Sequence, residues 1–330
     1  MRCLFITDAL LEPFDEGFRK FAFYLSKYCQ QQNYQVLDLG QSPLKDCFRL
    51  LFRRHDILIY LPLSSITFNS LLRGAFLKLI FHAHKAVAIG LQPRGYSPWQ
   101  KKIFRYFRLG IAVQTSESAA KLQAWGFSRV MQIYSGVDGD RFRAVEDPER
   151  IRELRQKYGI PLDEKIILHV GHLKKDRNLM TLAGIQKQLP GVRAVIVTST
   201  STQAEQEVAG ELEKAGALII RDYLPHIEEI YQLADLYYFP VVSQYDSIEI
   251  PLSLIEALAC GIPALTLTKR LNQDLTGLFC CVEEEDLPAK VREILDWNFS
   301  KTEISTGVAR YHWDHVFEDF FTRLKTKGLF

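Results

Sequence analysis

ADLYYFPVVSQYDSIEIPLSLIEALACGIPAL, residues 234–265, contains a strand, a loop and a helix in that order. Leu236 to Val242 is a short apolar and aromatic run ended by Pro240 and polar residues, which suits a buried strand opening into a loop. After Pro251, which fits the first helical position, Leu252, Ile255, Glu256 and Ala259 recur at helical spacing, and Gly261 with Pro263 stops the helix. A helix that starts after a buried parallel strand turns its unsatisfied backbone N–H groups into the crevice at the strand's carboxyl end, where phosphates bind.

Outward from this stretch the chain repeats one pattern. Leu4–Thr7, Val36–Leu39, Ile57–Leu61, Ala86–Leu91 and Ile111–Gln114 are short apolar runs separated by helix-length segments. A second series follows at Ile166–Val170, Ala194–Thr198, Leu218–Ile220, Leu236–Phe239 and Ala264–Leu267. Alternating strand and helix means an α/β fold with two doubly wound, Rossmann-like parallel sheets, and two such domains imply a cleft between them. Turn formers and charge concentrate in SGVDGDRFRAVEDPER, residues 135–150, which sets the domain boundary near Gly136 to Pro148.

Composition narrows the function classes. With 330 residues, 47% hydrophobic and 24% charged, the chain is globular and holds two domains of ordinary size. No apolar run reaches about 18 residues, so a membrane span is not expected. The start, MRCLFITDALLEPFDEG, reads as a first strand and not as a signal peptide. Six cysteines lack zinc-like or redox spacing, so neither a metal site nor a disulfide framework is expected, and the compartment is expected to be reducing and cytoplasmic. Residues 1–145 hold 20 Lys and Arg against 10 Asp and Glu (+10), and the remaining residues 21 against 29 (−8). That asymmetry gives the halves different partners, and no motif supports nucleic acid. The turn Asp8 to Gly17 holds one glycine, so the dinucleotide fingerprint Gly-x-Gly-x-x-Gly is absent and a nicotinamide cofactor is not expected.

IEALACGIPAL, with Glu256, resembles the core motif of the family-4 glycosyltransferases of GT-B fold, in which a Glu-x7-Glu pair brackets such a helix start. At the first glutamate's position stands Ile248, with Glu249 beside it, and Pro251 stands where many members have glycine. SGVDGDRF resembles the family's interdomain linker, and VGHLKKDRN, residues 170–178, its donor-phosphate loop, with Gly171 in place, His172 at an arginine position and Arg177 at a lysine position. The resemblance implies a GT-B enzyme with an N-terminal acceptor-binding domain (1–145) and a C-terminal donor-binding domain (146–311). A final helix near 312–330 packs back on the first domain. It further implies transfer of a sugar from a nucleoside-diphosphate sugar to an acceptor hydroxyl, with retention of configuration and no metal or other cofactor.

By that resemblance, Arg177, His172 and Lys175, with Lys174 beside it, neutralise the leaving diphosphate together with the backbone at Leu252, Ser253 and Leu254. Fixed cations and amides supply most of such stabilisation. Glu256 accepts from the ribose hydroxyls. Glu249 either grips the donor sugar's hydroxyls, with the loop shifted by one residue, or faces solvent; Asp246 is a weaker substitute. Gly17, in Glu16-Gly17, lets the backbone approach the donor or merely starts a helix. In GLQPRGYSP, residues 90–98, Gln92 stands where the family has a histidine, and Arg94 either holds an anionic acceptor or lies on the surface. His172 and Ser253 also have plain structural readings, a strand-end histidine and a helix-start hydroxyl bonded to its own backbone.

FRLLFRRH, residues 48–55, and PWQKKIFRYFRL, residues 98–109, interleave bases with aromatics. Such helices suit an anionic membrane surface or a lipid-linked acceptor, with the protein peripheral on the inner face, and they also suit ordinary solvated helices over a sheet. The rival to an enzyme is a non-catalytic GT-B homologue that keeps the pocket for binding or assembly.

Overall fold

The computed structural model describes residues 1–12, 14, 16–103, 106, 108–198, 205–243, 245, 247–268 and 275–326. Asp246, Phe104, Arg105 and Phe107, named above, lie outside them.

The chain divides into two units, each built on a sheet of parallel strands. The first comprises residues 1–136, 247–250 and 313–330. Its elements run β1 (Cys3–Thr7), α1 (Gly17–Gln31), β2 (Gln35–Asp38), α2 (Leu44–Leu51), β3 (His55–Leu61), α3 (Phe68–Ile80), β4 (Ala83–Gly90), α4 (Pro98–Ile103), β5 (Gly110–Val113), α5 (Ser116–Ala124) and β6 (Val130–Gln132). The sheet order is β2-β1-β3-β4-β5-β6. The second unit comprises residues 137–246 and 251–312. It runs α6 (Pro148–Lys157), β7 (Lys165–Gly171), α7 (Met180–Gln188), β8 (Val192–Thr198), α8 (Gln206–Lys214), β9 (Leu218–Ile220), α9 (Ile227–Gln232), β10 (Leu236–Phe239), α10 (Leu252–Ala259), β11 (Ala264–Thr266), β12 (Leu278–Cys280), α11 (Leu287–Asp296) and α12 (Lys301–Gly307). Its sheet order is β12-β11-β10-β7-β8-β9. The last helix, α13 (Trp313–Thr326), returns to the first unit.

Strands covered on both faces read as continuous apolar runs, and Ile166, Ile167 and Leu168 of β7 are fully buried. In the first unit, Leu71 and Leu77 of α3, Leu50 of α2 and Leu122 of α5 pack into one core against Leu58, Tyr60 and Ile111 of the sheet. α1 is covered by α13 through rings. Trp313 meets Phe21 edge-on with centroids 5.4 Å apart and stacks on Tyr24 at 5.1 Å, while Phe321 stacks on Tyr28 at 5.4 Å. An added Cβ at Gly136 would lie 2.3 Å from the Trp313 ring, so only glycine fits there.

The division falls at Gly136. Val137 donates from its N–H to the Tyr311 carbonyl at 2.8 Å, and Phe142 packs on Tyr231 with ring centroids 5.8 Å apart, so residues from 137 onward belong to the second unit. The four residues 247–250 of the first unit come from the middle of the second unit's sequence, an exchange that periodicity does not announce.

Candidate functional site

In the second unit the chain proceeds from β7 through β8 and β9 to one edge, then returns to β10 and proceeds to the other. The strand order reverses between β7 and β10, which are parallel neighbours with Ile167 opposite Leu236 and Leu168 opposite Tyr237. Ligands of open α/β sheets bind outside the carboxyl ends of the strands at such a reversal. Here those ends carry the two segments singled out from the sequence: Gly171 to Asn178 follows β7, and the segment leading to α10 follows β10.

Tyr237 ties the two together. Its hydroxyl donates to the Val170 carbonyl at 3.4 Å, and Ser253 in the first turn of α10 acts on the same hydroxyl. Burial raises its pKa, and Ser253 and the Arg177 charge act against that rise. Arg177 also acts on His169, whose pKa is pushed down to about 4 by burial first and then by the positive fields of Arg177 and His172. His169 Nδ1 lies 3.0 Å from the Tyr238 carbonyl, which only accepts, so the neutral ring carries its proton on Nδ1. Its buried Nε2 has no hydrogen-bond partner among the described residues, and an added Cβ at Gly171 would stand 3.1 Å from it.

α10 is anion-receptive by construction. Pro251 caps it with no side-chain hydrogen bond, its first turn has no acid, and every residue from Leu252 to Ala259 except Ser253 is buried. The half-exposed Ser253 marks where the amino end meets solvent. Arg177, its side chain 12% exposed, ends a 3-10 turn (Lys175–Arg177) closed by Asn178 at φ 57, a left-handed conformation that asparagine tolerates. Lys175 is exposed, and its N–H donates to Glu205 at 3.0 Å. Glu256 is 4% exposed and accepts from the Tyr231 hydroxyl at 3.2 Å. Burial, then the Glu256 charge, drives the Tyr231 pKa up. A buried carboxylate needs such a donor, so Glu256 is no surface glutamate. Guanidinium, lysines, hydroxyl and helix amides at one sheet end can neutralise a diphosphate. Among the described residues, no group of three or more His, Cys, Asp or Glu side chains is placed to hold a metal ion.

Three candidates, Arg177, Ser253 and Glu256, thus gather around Tyr237 and Tyr231, with His172 acting on His169 beside them. The sequence missed His169, Tyr231 and Tyr237, since each sits in an apolar run and reads as core.

Glu249 belongs to the first unit. Its carboxylate accepts from Thr115 Oγ1 at 3.0 Å, from the Gln114 N–H at 3.4 Å and from Ser118 Oγ. Its own N–H donates to the Leu91 carbonyl at 2.8 Å, and the Ile250 N–H donates to Gln114 Oε1 at 2.9 Å. Residues 247–250 therefore form a strap on the carboxyl ends of β4 and β5. The solvent-facing reading of Glu249 is not met: the residue is 9% exposed and its carboxylate holds the strap. Burial raises its pKa, opposed by the three hydrogen bonds. Gly17 joins the same assembly, since an added Cβ would lie 2.9 Å from Ile248 Cδ1. The room that glycine provides is filled by Ile248.

Gln92 and Arg94 come together at the end of β4. Arg94 donates to Gln92 Oε1 at 2.8 Å and to the Ser64 carbonyl at 3.1 Å, and Ser65 Oγ donates to the Gln92 carbonyl at 2.7 Å. At this unit's own reversal, between β1 and β3, Asp8 accepts from the Leu63 N–H at 2.7 Å and pairs with Arg73 at 3.2 Å.

The second unit's arrangement has counterparts among known proteins. Residues 150–295 match the family model of the glycosyl transferases group 1. The chain is 28% identical over 185 residues to the protein named as teichuronic acid biosynthesis glycosyltransferase TuaC of Bacillus subtilis (strain 168), covering 52% of this chain and 43% of the relative. It is 30% identical over 146 residues to the D-inositol 3-phosphate glycosyltransferase of Mycolicibacterium smegmatis, covering 42% of this chain and 32% of the relative. The chain thus spans less than half the length of these curated relatives. Among solved structures, Anabaena HepE in complex with UDP superimposes with a TM-score of 0.73 at 15% identity, covering 99% of this chain and 100% of that one. At that identity the likeness shows the fold, which is GT-B. Residues 150–295 are thus similar to a glycosyltransferase domain.

Proposed function

We propose that the protein transfers a sugar from a nucleoside-diphosphate sugar to an acceptor hydroxyl, with retention of configuration and without a metal ion, in the manner of the family-4 glycosyltransferases. The observation that carries this reading is the Tyr237 hydroxyl, bonded to the Val170 carbonyl at the end of β7, on which Ser253 of α10 and Arg177 both act. In the reaction, the bond between the sugar's anomeric carbon and the β-phosphate oxygen breaks, and its electron pair stays on that oxygen. Arg177, His172, Lys174, Lys175 and the amino end of α10 hold the growing negative charge, which is where fixed donors lower a barrier most. The acceptor oxygen attacks the anomeric carbon from the face the diphosphate leaves, and its proton passes to the departing phosphate oxygen. Glu256 receives the ribose hydroxyls, and Leu252, Ser253 and Leu254 offer backbone donors to the phosphates.

Structural relatives with bound UDP support a nucleoside diphosphate as the donor's leaving part. The acceptor is a glycan or a lipid-linked hydroxyl approached from the first unit, with Gln92 and Arg94 near it. The basic first unit has an anionic membrane surface as its partner, on the cytoplasmic side.

A second reading is favoured by one observation: Ile248 packs at Gly17 and Glu249 is committed to the strap, so the motif's sugar-gripping carboxylate is missing. A non-catalytic homologue would keep the nucleotide pocket alone. Thermal shift across a panel of nucleoside-diphosphate sugars, followed by donor hydrolysis and transfer assays, separates the two. Ligand binding raises the melting temperature by mass action. A shift with turnover supports the enzyme, a shift without turnover the second reading, and no shift from any donor removes both.

A further inference from the structure

A helix laid over a sheet ordinarily turns apolar residues inward and charge outward. α3 does not. Leu71, Gly74 and Leu77 form its buried stripe, while Leu72, Phe76 and Leu79, spaced four and three residues apart on another face, are 43%, 60% and 73% exposed. On α2, Leu50 is buried, yet Phe48 is 59% exposed and Phe52, directly after the helix, 87%. Cys47, Leu50 and Leu51 of α2 join the same core as Leu71 and Leu77 of α3, so both helices cover one face of the sheet and carry their outer apolar residues on the same side of the unit.

Among the described residues the exposed charge beside Phe48 and Phe52 is basic. Arg49, Arg53 and Arg54 are exposed beside Phe48 and Phe52 and make no ion pair among the described residues. Between residues 57 and 116 the sequence has no Asp or Glu and eight Lys and Arg. Among the described residues no helix is long and apolar enough to cross a membrane. Protruding aromatic and aliphatic side chains fringed by arginine, on a helix face that lies flat, match the two demands of a charged lipid surface, apolar insertion at the acyl boundary and attraction to anionic headgroups.

We propose that the outer face of α2 and α3 docks on an anionic lipid bilayer, Phe48, Phe52, Phe76 and Leu79 entering the interface and Arg49, Arg53 and Arg54 meeting the headgroups. This deepens the membrane-partner part of the proposed function by naming the surface, and it stands whether or not the second unit transfers sugar. Each cation brought to such a surface contributes about fivefold in affinity, and that share fades as salt screens it.

The test is co-sedimentation of the full chain with vesicles of phosphatidylglycerol and phosphatidylcholine at 3:7 against phosphatidylcholine alone, at low and high salt, with light scattering to follow self-association. The proposal expects at least about tenfold preference for the anionic vesicles, weakened by salt. It expects a further loss of about tenfold or more in a Phe52→Ser, Phe76→Ser, Leu79→Ser variant, whose melting temperature and donor-induced thermal shift stay those of the parent. An Arg49→Gln, Arg53→Gln, Arg54→Gln variant should lose the anionic preference while keeping the weak neutral binding. Equal sedimentation with both vesicle types, or parental binding by the serine variant, overturns it. So does a chain that self-associates through this face, shown by the serine variant becoming monomeric with no change in vesicle binding.

Discussion

Both units carry a sheet whose strand order reverses next to its first strand, β1 with β3 in one and β7 with β10 in the other, yet the two reversals end in opposite chemistry. In the first unit the polar groups there satisfy one another, Asp8 taking the Leu63 N–H and Arg73, and the neighbouring strand ends are covered by the strap of residues 247–250. In the second unit no side chain caps the start of α10, and Arg177 and Ser253 both act on the Tyr237 hydroxyl. One topology thus supplies a closed end and an anion-receptive end, so activity has to be argued from side chains and not from the fold.

The largest effect should come from removing the cation at the receptive end. Arg177→Ala is expected to lower transfer by about 100- to 1000-fold, the scale of one lost donor to a developing anion, and to shrink the thermal shift given by the true donor. Steady-state kinetics and melting curves check both, and parental values would erase the contrast between the ends.

The second effect is one of pH. His169 is held neutral in the folded unit with a pKa of about 4 against an ordinary 6.5. The unfolded chain takes up that proton first, so stability is complete above pH 6.5 and falls as pH drops toward 4, by up to about 3 kcal/mol. Denaturant unfolding from pH 7 to 4 should show this slope, and His169→Leu should flatten it.

Glu249 tilts the other way, because burial raises its folded pKa. Its contribution is complete below the ordinary glutamate value and fades as pH climbs through the raised one. Glu249→Gln, which keeps one acceptor oxygen, should match the parent near pH 4.5 and exceed it in the alkaline range, by under about 1 kcal/mol. If the substitution instead abolishes transfer at full stability, the carboxylate serves the sugar and the strap reading fails.

Gly17→Ala should do least. The clash is with the far end of the Ile248 side chain, which can swing aside at a cost of under about 1 kcal/mol. A raised KM for donor would return Gly17 to the role the sequence suggested.

The legible parts of the molecule were those with local signals. Ile166–Val170 and Leu236–Phe239 read as strands because burial on both faces leaves apolar runs, and α10 was framed by its proline and glycine. β6 and β12 have no counterpart among the runs read from the sequence. The Arg177 loop and Ser253 were found through a motif. The burial of Glu249 was not legible because its partners, Gln114, Thr115 and Ser118, lie more than 130 positions upstream, and a pairing so distant leaves no trace in local spacing.

The return of α13 onto α1 has a price in time. Phe21, Tyr24 and Tyr28 emerge from the ribosome early, but Trp313, Phe317 and Phe321, which shield them, are made near the end of this sequence. At about 5–20 residues per second, that leaves a greasy helix uncovered for roughly fifteen seconds to a minute. Nascent chains stalled before residue 313 should therefore be the ones that chaperones hold.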